Sequence, residues 1–168
     1  MGKSLFLTVI YVVCSLCYMA AQGLVNVKHY SVKDGMSQNT VQGVLQDNEG
    51  YIWMATWNGL EKFDGYSFKN YKTYPTDKVK LQYNRLVNLQ LGGNQMLVCQ
   101  SYDRRVYLFD IRRECFEDVF AYHPEVKLCT AASKIITLPN GMVWIVGTNG
   151  DLWRIDCFRY KDKGGLVY

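Results

Sequence analysis

Only two histidines occur in the 168 residues, His29 and His123, and neither stands at ligand spacing from a carboxylate or a cysteine. A histidine-based metal site or a cysteine–histidine nucleophile pair therefore has no support. A Gly-x-Gly-x-x-Gly motif and a phosphate-binding loop are both missing, and Gly92-Gly93 reads as one hairpin turn. The formal net charge is +4, yet no stripe of lysine or arginine runs along the chain, which argues against nucleic acid as a partner. Carboxylate pairs (Asp47 with Glu49, Glu117 with Asp118) fall in predicted turns, where such pairs are ordinarily solvated. No catalytic residue, cofactor or metal is expected of this chain. After Gln22 there is no apolar run of membrane-spanning length, and no window spaces its apolar residues at the helical period.

The one long apolar run lies at the start. Lys3 precedes residues 5–17, apolar except for Thr8 and Ser15, and Ala20 and Ala21 then stand before Gln22. A basic start, a run of about 13 apolar residues and a small-residue exit predict a cleaved signal peptide over residues 1–21. Cys14 and Cys17 do not follow the small-residue pair, so no lipid anchor is expected. Export permits disulfides. Cys99, inside an apolar strand, is expected as a buried thiol, and Cys115 with Cys157 is the least implausible bridge.

What the chain does have is a rhythm. Residues 35–71 read as four short strands: VQGVLQD, IWMATW, LEKFD and SFKNYK, divided by Asn48-Glu49-Gly50, Asn58-Gly59 and Gly65. Apolar runs of this length broken by Asn-Gly and Asp-Gly are the pattern of a β-meander. The pattern returns in residues 87–110, without the Trp and the Asn-Gly, and again in residues 133–156. Asp64, Asp110 and Asp156 mark the period, 46 residues apart both times, each after an apolar residue. Four strands repeating at about 40–50 residues predict β-propeller blades. The fold class expected is all-β: a partial propeller of about three four-stranded antiparallel blades, unclosed. Blade 1 is placed at residues 37–75, blade 2 at 84–120 and an incomplete blade 3 at 132–168.

Three blades make an open arc, whereas propellers close with 4–8. The chain is therefore expected to be a piece of a longer protein. NVKHYSV, within residues 22–36, echoes the lysine-polar-tyrosine pattern of SFKNYK and is expected to close a last blade.

The residues DGMSQNTVQGVLQDNEGYIWMATWNGLEKFDGYSFKNYK (34–72) resemble the two-component-regulator propeller repeat, with its Gly-x-Ile-Trp strand, Thr-x-Asn-Gly-Leu turn and Phe-Asp-Gly exit. Blade 3 matches in Asn-Gly-x-x-Trp-Ile and Thr-Asn-Gly, while blade 2 rests on spacing. The resemblance implies the periplasmic sensor of a hybrid two-component system in Bacteroidetes: propellers outside the membrane, a histidine kinase inside, an oligosaccharide as ligand and a homodimer as the signalling form. No kinase, receiver or membrane-helix segment follows in this sequence, so signalling needs the remaining blades and domains. An exported propeller enzyme acting on polysaccharide and a purely structural interaction propeller are the alternatives.

Trp53 and Trp144, at equivalent second-strand positions, are expected to pack between blades, with Phe63, Phe109 and Ile155. Asp64, Asp110 and Asp156 are expected to bond turn backbone. Trp57 differs, because it stands in a turn where the repeat carries a small or acidic residue. Its counterparts in blade 2 are Tyr102, Asp103, Arg104 and Arg105. Aromatic faces stack on sugar rings, while arginine and aspartate bond hydroxyls in pairs, so these five residues are the candidate glycan site. Tyr122-His123-Pro124 is a weaker candidate of the same kind.

Overall fold

The structure, a computed structural model, describes residues 2–19, 26–77, 79, 81–93, 95–117, 131–159 and 166–167. The first segment forms one helix, α1 (Gly2–Met19). Among the described residues no helix is long and apolar enough to cross a membrane.

The rest is strand and turn. The first sheet comprises β1 (Val41–Gln46), β2 (Ile52–Thr56), β3 (Gly59–Phe63) and β4 (Phe68–Tyr71). The second comprises β5 (Leu86–Leu91), β6 (Met96–Ser101), β7 (Val106–Asp110) and β8 (Cys115–Glu117). The third comprises β9 (Ala132–Thr137), β10 (Met142–Gly147), β11 (Leu152–Asp156) and β12 (Leu166–Val167). Each sheet is an antiparallel meander in sequence order. The first strands stand side by side: Gly43 of β1 lies against Leu89 of β5, and Gln90 of β5 donates to the Ile135 carbonyl of β9 at 3.0 Å. These are three blades of a partial propeller, arranged about their inner strands and not closed.

The three aspartates do what their place in the repeat requires. Asp64 Oδ1 accepts from the amides of Tyr66 and Ser67, Asp110 Oδ1 from those of Arg112 and Arg113, and Asp156 Oδ1 from that of Phe158. Each turns the chain out of a third strand by satisfying amides that the next strand cannot.

Side chains alternate across each sheet, so every blade offers one face to the blade before it and one to the blade after. Trp53 is fully buried between blades 1 and 2, with ring centres 5.7 Å from Tyr71 and 5.4 Å from Phe109. Phe109 continues the cluster to Phe116 at 5.0 Å. Polar bonds close the rim. Trp53 Nε1 donates to Asp47 Oδ2 at 2.7 Å, Tyr71 Oη donates to Glu114 Oε1 at 2.7 Å, and Lys69 pairs with the other oxygen of Glu114. Blades 2 and 3 meet through Met96, Val98 and Leu108 on one side and Val143, Ile145, Trp153 and Ile155 on the other.

Trp144 departs from expectation. Val143 and Ile145 face blade 2, so Trp144 points to the other side of blade 3 and is only half-buried, under the Arg154 guanidinium. The matching face of blade 1 is covered by blade 2; on this face of blade 3, Ile136 and Leu152 are exposed. Phe63 is likewise half-buried on the opposite flank, stacked on Phe68 with Tyr30 tilted across both rings. The segment expected to close a last blade lies outside any strand from residue 26 to 31, and a 3-10 turn (Val32–Asp34) follows, capped by Ser31. Cys99 is buried, as expected. Cys157 is a buried free thiol, pushed up to about 11 by burial, so no bridge joins it to Cys115.

One buried carboxylate ties residues 36–37 to blade 1. Glu61 is fully buried and accepts from the Ser37 amide at 2.7 Å and from Ser37 Oγ at 3.2 Å. Desolvation outweighs these bonds and raises its pKa above the ordinary 4.5. The folded state thus holds a proton that the unfolded chain releases, and stability falls as pH rises from about 4.5 through the raised value. Glu61→Gln removes the titration, so its melting temperature relative to the wild type should increase from pH 4 to pH 7 in thermal denaturation. A constant difference across that range would mean that Glu61 does not titrate with folding.

Candidate functional site

The turn after each second strand is tied to the residue before each first strand by the same backbone bond. Trp57 N donates to Thr40 O at 3.3 Å, Tyr102 N to Arg85 O at 2.9 Å and Thr148 N to Ala131 O at 3.0 Å. Trp57, Tyr102 and Thr148 are therefore structural equivalents, as are Thr40, Arg85 and Ala131. Buried hydroxyls fix the first two turns. Thr56 Oγ1 donates to Gly59 O and accepts from Asn58 N, and Ser101 Oγ donates to Asp103 Oδ1. The aromatic that follows each hydroxyl is thrown outward: Trp57 is 43% exposed and Tyr102 62%.

Between them lies Arg85. Its guanidinium carbon sits 4.4 Å from the Trp57 ring centre and 5.2 Å from that of Tyr102, a cation between two π faces belonging to adjacent blades. A cleft of about 520 Å³ opens here, lined by Trp57, Tyr83, Asn84, Arg85, Tyr102 and Asp103. Asn84 is structural: its side chain accepts from the Thr73 amide at 2.8 Å and donates to the Thr73 carbonyl at 3.0 Å, closing the link between the blades. Tyr83 is exposed beside it.

Of the five residues singled out in the sequence, Trp57, Tyr102 and Asp103 line the cleft. Arg104 and Arg105 do not. Arg104 takes a left-handed backbone (φ 67°) and stands exposed, while Arg105 pairs with Asp103 at 3.3 Å. Sequence reasoning missed Tyr83 and Arg85, which lie in the link that returns to the same end of the blade. The signal was the aromatic-cation pair in LQYNRL at the start of an inner strand. Tyr122-His123-Pro124 lies outside the described residues.

Four-stranded meanders ranged by their first strands define part of a propeller, with exposed aromatics at the end where turn and link meet. No protein-family model matches the chain. Histidine kinase P4 of Formosa agariphila is 41% identical over 54 residues, 32% of this chain and 4% of the kinase. Two crystal structures of one extracellular domain from B. thetaiotaomicron, named for a one-component system in one case and a hybrid two-component system in the other, superpose with TM-scores of 0.55 and 0.53. They are 23% and 22% identical, over 79% and 78% of this chain and 16% and 15% of theirs. The chain thus spans a small part of each relative and shares the blade fold of such domains. The match to a histidine kinase and the shared blade fold agree with the resemblance of this chain to the two-component-regulator propeller repeat.

Proposed function

We propose that this chain is part of the periplasmic propeller of a sensor, exported by the signal peptide of residues 1–21, and that it binds an oligosaccharide at the cleft between blades 1 and 2. The observation that carries the reading is the Trp57–Arg85–Tyr102 stack, where exposed aromatic faces and a guanidinium share one cleft. Sugar rings present C–H faces to aromatics and hydroxyls to arginine and carboxylate, so this mixture of groups suits a glycan. In the longer protein the remaining blades would cover the open blade faces, a homodimer would be the signalling form, and a kinase across the membrane would read the bound state.

Tryptophan fluorescence titration of the 168-residue chain with a panel of oligosaccharides tests this. Trp57 is the only exposed tryptophan among the described residues, so its emission should shift on binding. Trp57→Ala is expected to weaken the best ligand about tenfold, the equivalent of losing one stacking contact of about 1–1.5 kcal/mol. Failure of every oligosaccharide to bind would end the glycan reading.

A further inference from the structure

The cleft holds a cation without an anionic partner. Its side chains include one guanidinium, Arg85, and one carboxylate, Asp103, and the two are not partners. Asp103 is taken up by Ser101 Oγ and by Arg105. Arg85 is held only through its faces, by Trp57 and Tyr102; among the described residues no carboxylate pairs with it and no acceptor bonds its N–H groups. Other arginines with charged or polar neighbours are engaged in place. Arg113 pairs with Asp110 and Glu117, and Arg112 bonds Gln95.

A guanidinium has five N–H donors around the rim of a plane. Stacking covers the plane and leaves the rim, and it fixes the fork before a ligand arrives, so little side-chain freedom is lost on binding. The partner that matches such a rim is an oxyanion, whose charge-assisted bonds are about twice as strong as those of a neutral hydroxyl. Arg104, exposed on the neighbouring turn, adds to the positive field. We infer that the cleft selects acidic oligosaccharides, with a carboxylate or sulfate group on Arg85 and a sugar ring against Trp57 or Tyr102. The inference rests on the glycan reading above and adds the ligand's charge.

Isothermal titration of the 168-residue chain with size-matched probes tests it: a neutral galactan oligosaccharide, an oligogalacturonate, a sulfated galactan oligosaccharide and a single-stranded oligonucleotide. At least one acidic sugar is expected to bind about tenfold or more tightly than the neutral one. Whether the carboxylate or the sulfate probe binds better identifies the group held. Arg85→Gln should bring the acidic sugar down to the neutral level, and Arg85→Lys, which keeps the charge without the fork, should fall between. Circular dichroism checks that both variants fold like the parent. Equal affinity for neutral and acidic sugars, or no loss in Arg85→Gln, overturns the inference and leaves glycan binding standing. Binding of no sugar overturns both. An oligonucleotide that binds as tightly as the acidic sugar would replace the inference with a general polyanion contact.

Discussion

Replacing Trp53 with alanine is expected to cost about 3–5 kcal/mol of unfolding free energy, the range for deleting a large aromatic from a packed core. Trp53 is fully buried and, with Tyr71, is where blade 1 meets Phe109 of blade 2. It also satisfies a second group. Asp47 is buried, and its Oδ2 accepts from the indole at 2.7 Å while Oδ1 accepts from the amides of Glu49 and Tyr51. Trp53→Ala therefore opens a cavity between blades and leaves a buried oxygen without its donor. Trp53→Phe helps to separate the two effects, because it keeps most of the packing and removes the hydrogen bond; about 1–3 kcal/mol is expected. Urea denaturation followed by circular dichroism measures both. A loss for Trp53→Ala no larger than that of the exposed Trp57→Ala would show that the blades are not held by this contact.

Gly59→Ala should be the most damaging single-methyl change in blade 1. Gly59 has φ +108°, and a Cβ there would stand 2.3 Å from the Tyr71 carbonyl oxygen, a backbone atom that can withdraw only by breaking the pairing of β3 with β4. Backbone strain of about 1–3 kcal/mol adds to the clash. Gly65 is the control, with φ +97° and nothing within 4 Å of the added carbon. Gly65→Ala should show the conformational part alone, about 1–3 kcal/mol. Thermal melting of the two variants side by side isolates the clash, and equal melting temperatures would refute it. Asn-Gly at residues 58–59 was legible as a turn, but the close approach of Tyr71 from the next strand was not.

The same division runs through the candidate site. Trp57 stood out in the sequence because an aromatic occupies a turn, and Tyr102 because it begins the equivalent turn. Arg85 offered only the local Tyr83–Arg85 pair, since it lies 28 residues from Trp57 and 17 from Tyr102. Its position between the two rings follows from a recurring backbone bond between turn and link, which the amino-acid pattern does not encode in any one window. Arg104 and Arg105 were drawn in by adjacency to Tyr102, yet the left-handed backbone at Arg104 and the Asp103–Arg105 pair keep both out of the cleft. Neighbours in sequence at a tight turn point in different directions, so adjacency overstated the cluster.

What the sequence determined by itself was local. Short strands, the turns between them and the aspartates that hold those turns depend on side chains reaching backbone a few positions away. That logic repeats every 46 residues, and it was enough to read three blades. The tertiary structure decided everything that passes between blades: that Trp53 is covered and Trp144 is not, that Glu61 is buried beneath Ser37, and that Arg85 is stacked between rings from two blades. A repeat fixes which face of a strand each side chain takes, but burial requires a neighbour on that face. Whether one is present is a property of the assembled blades.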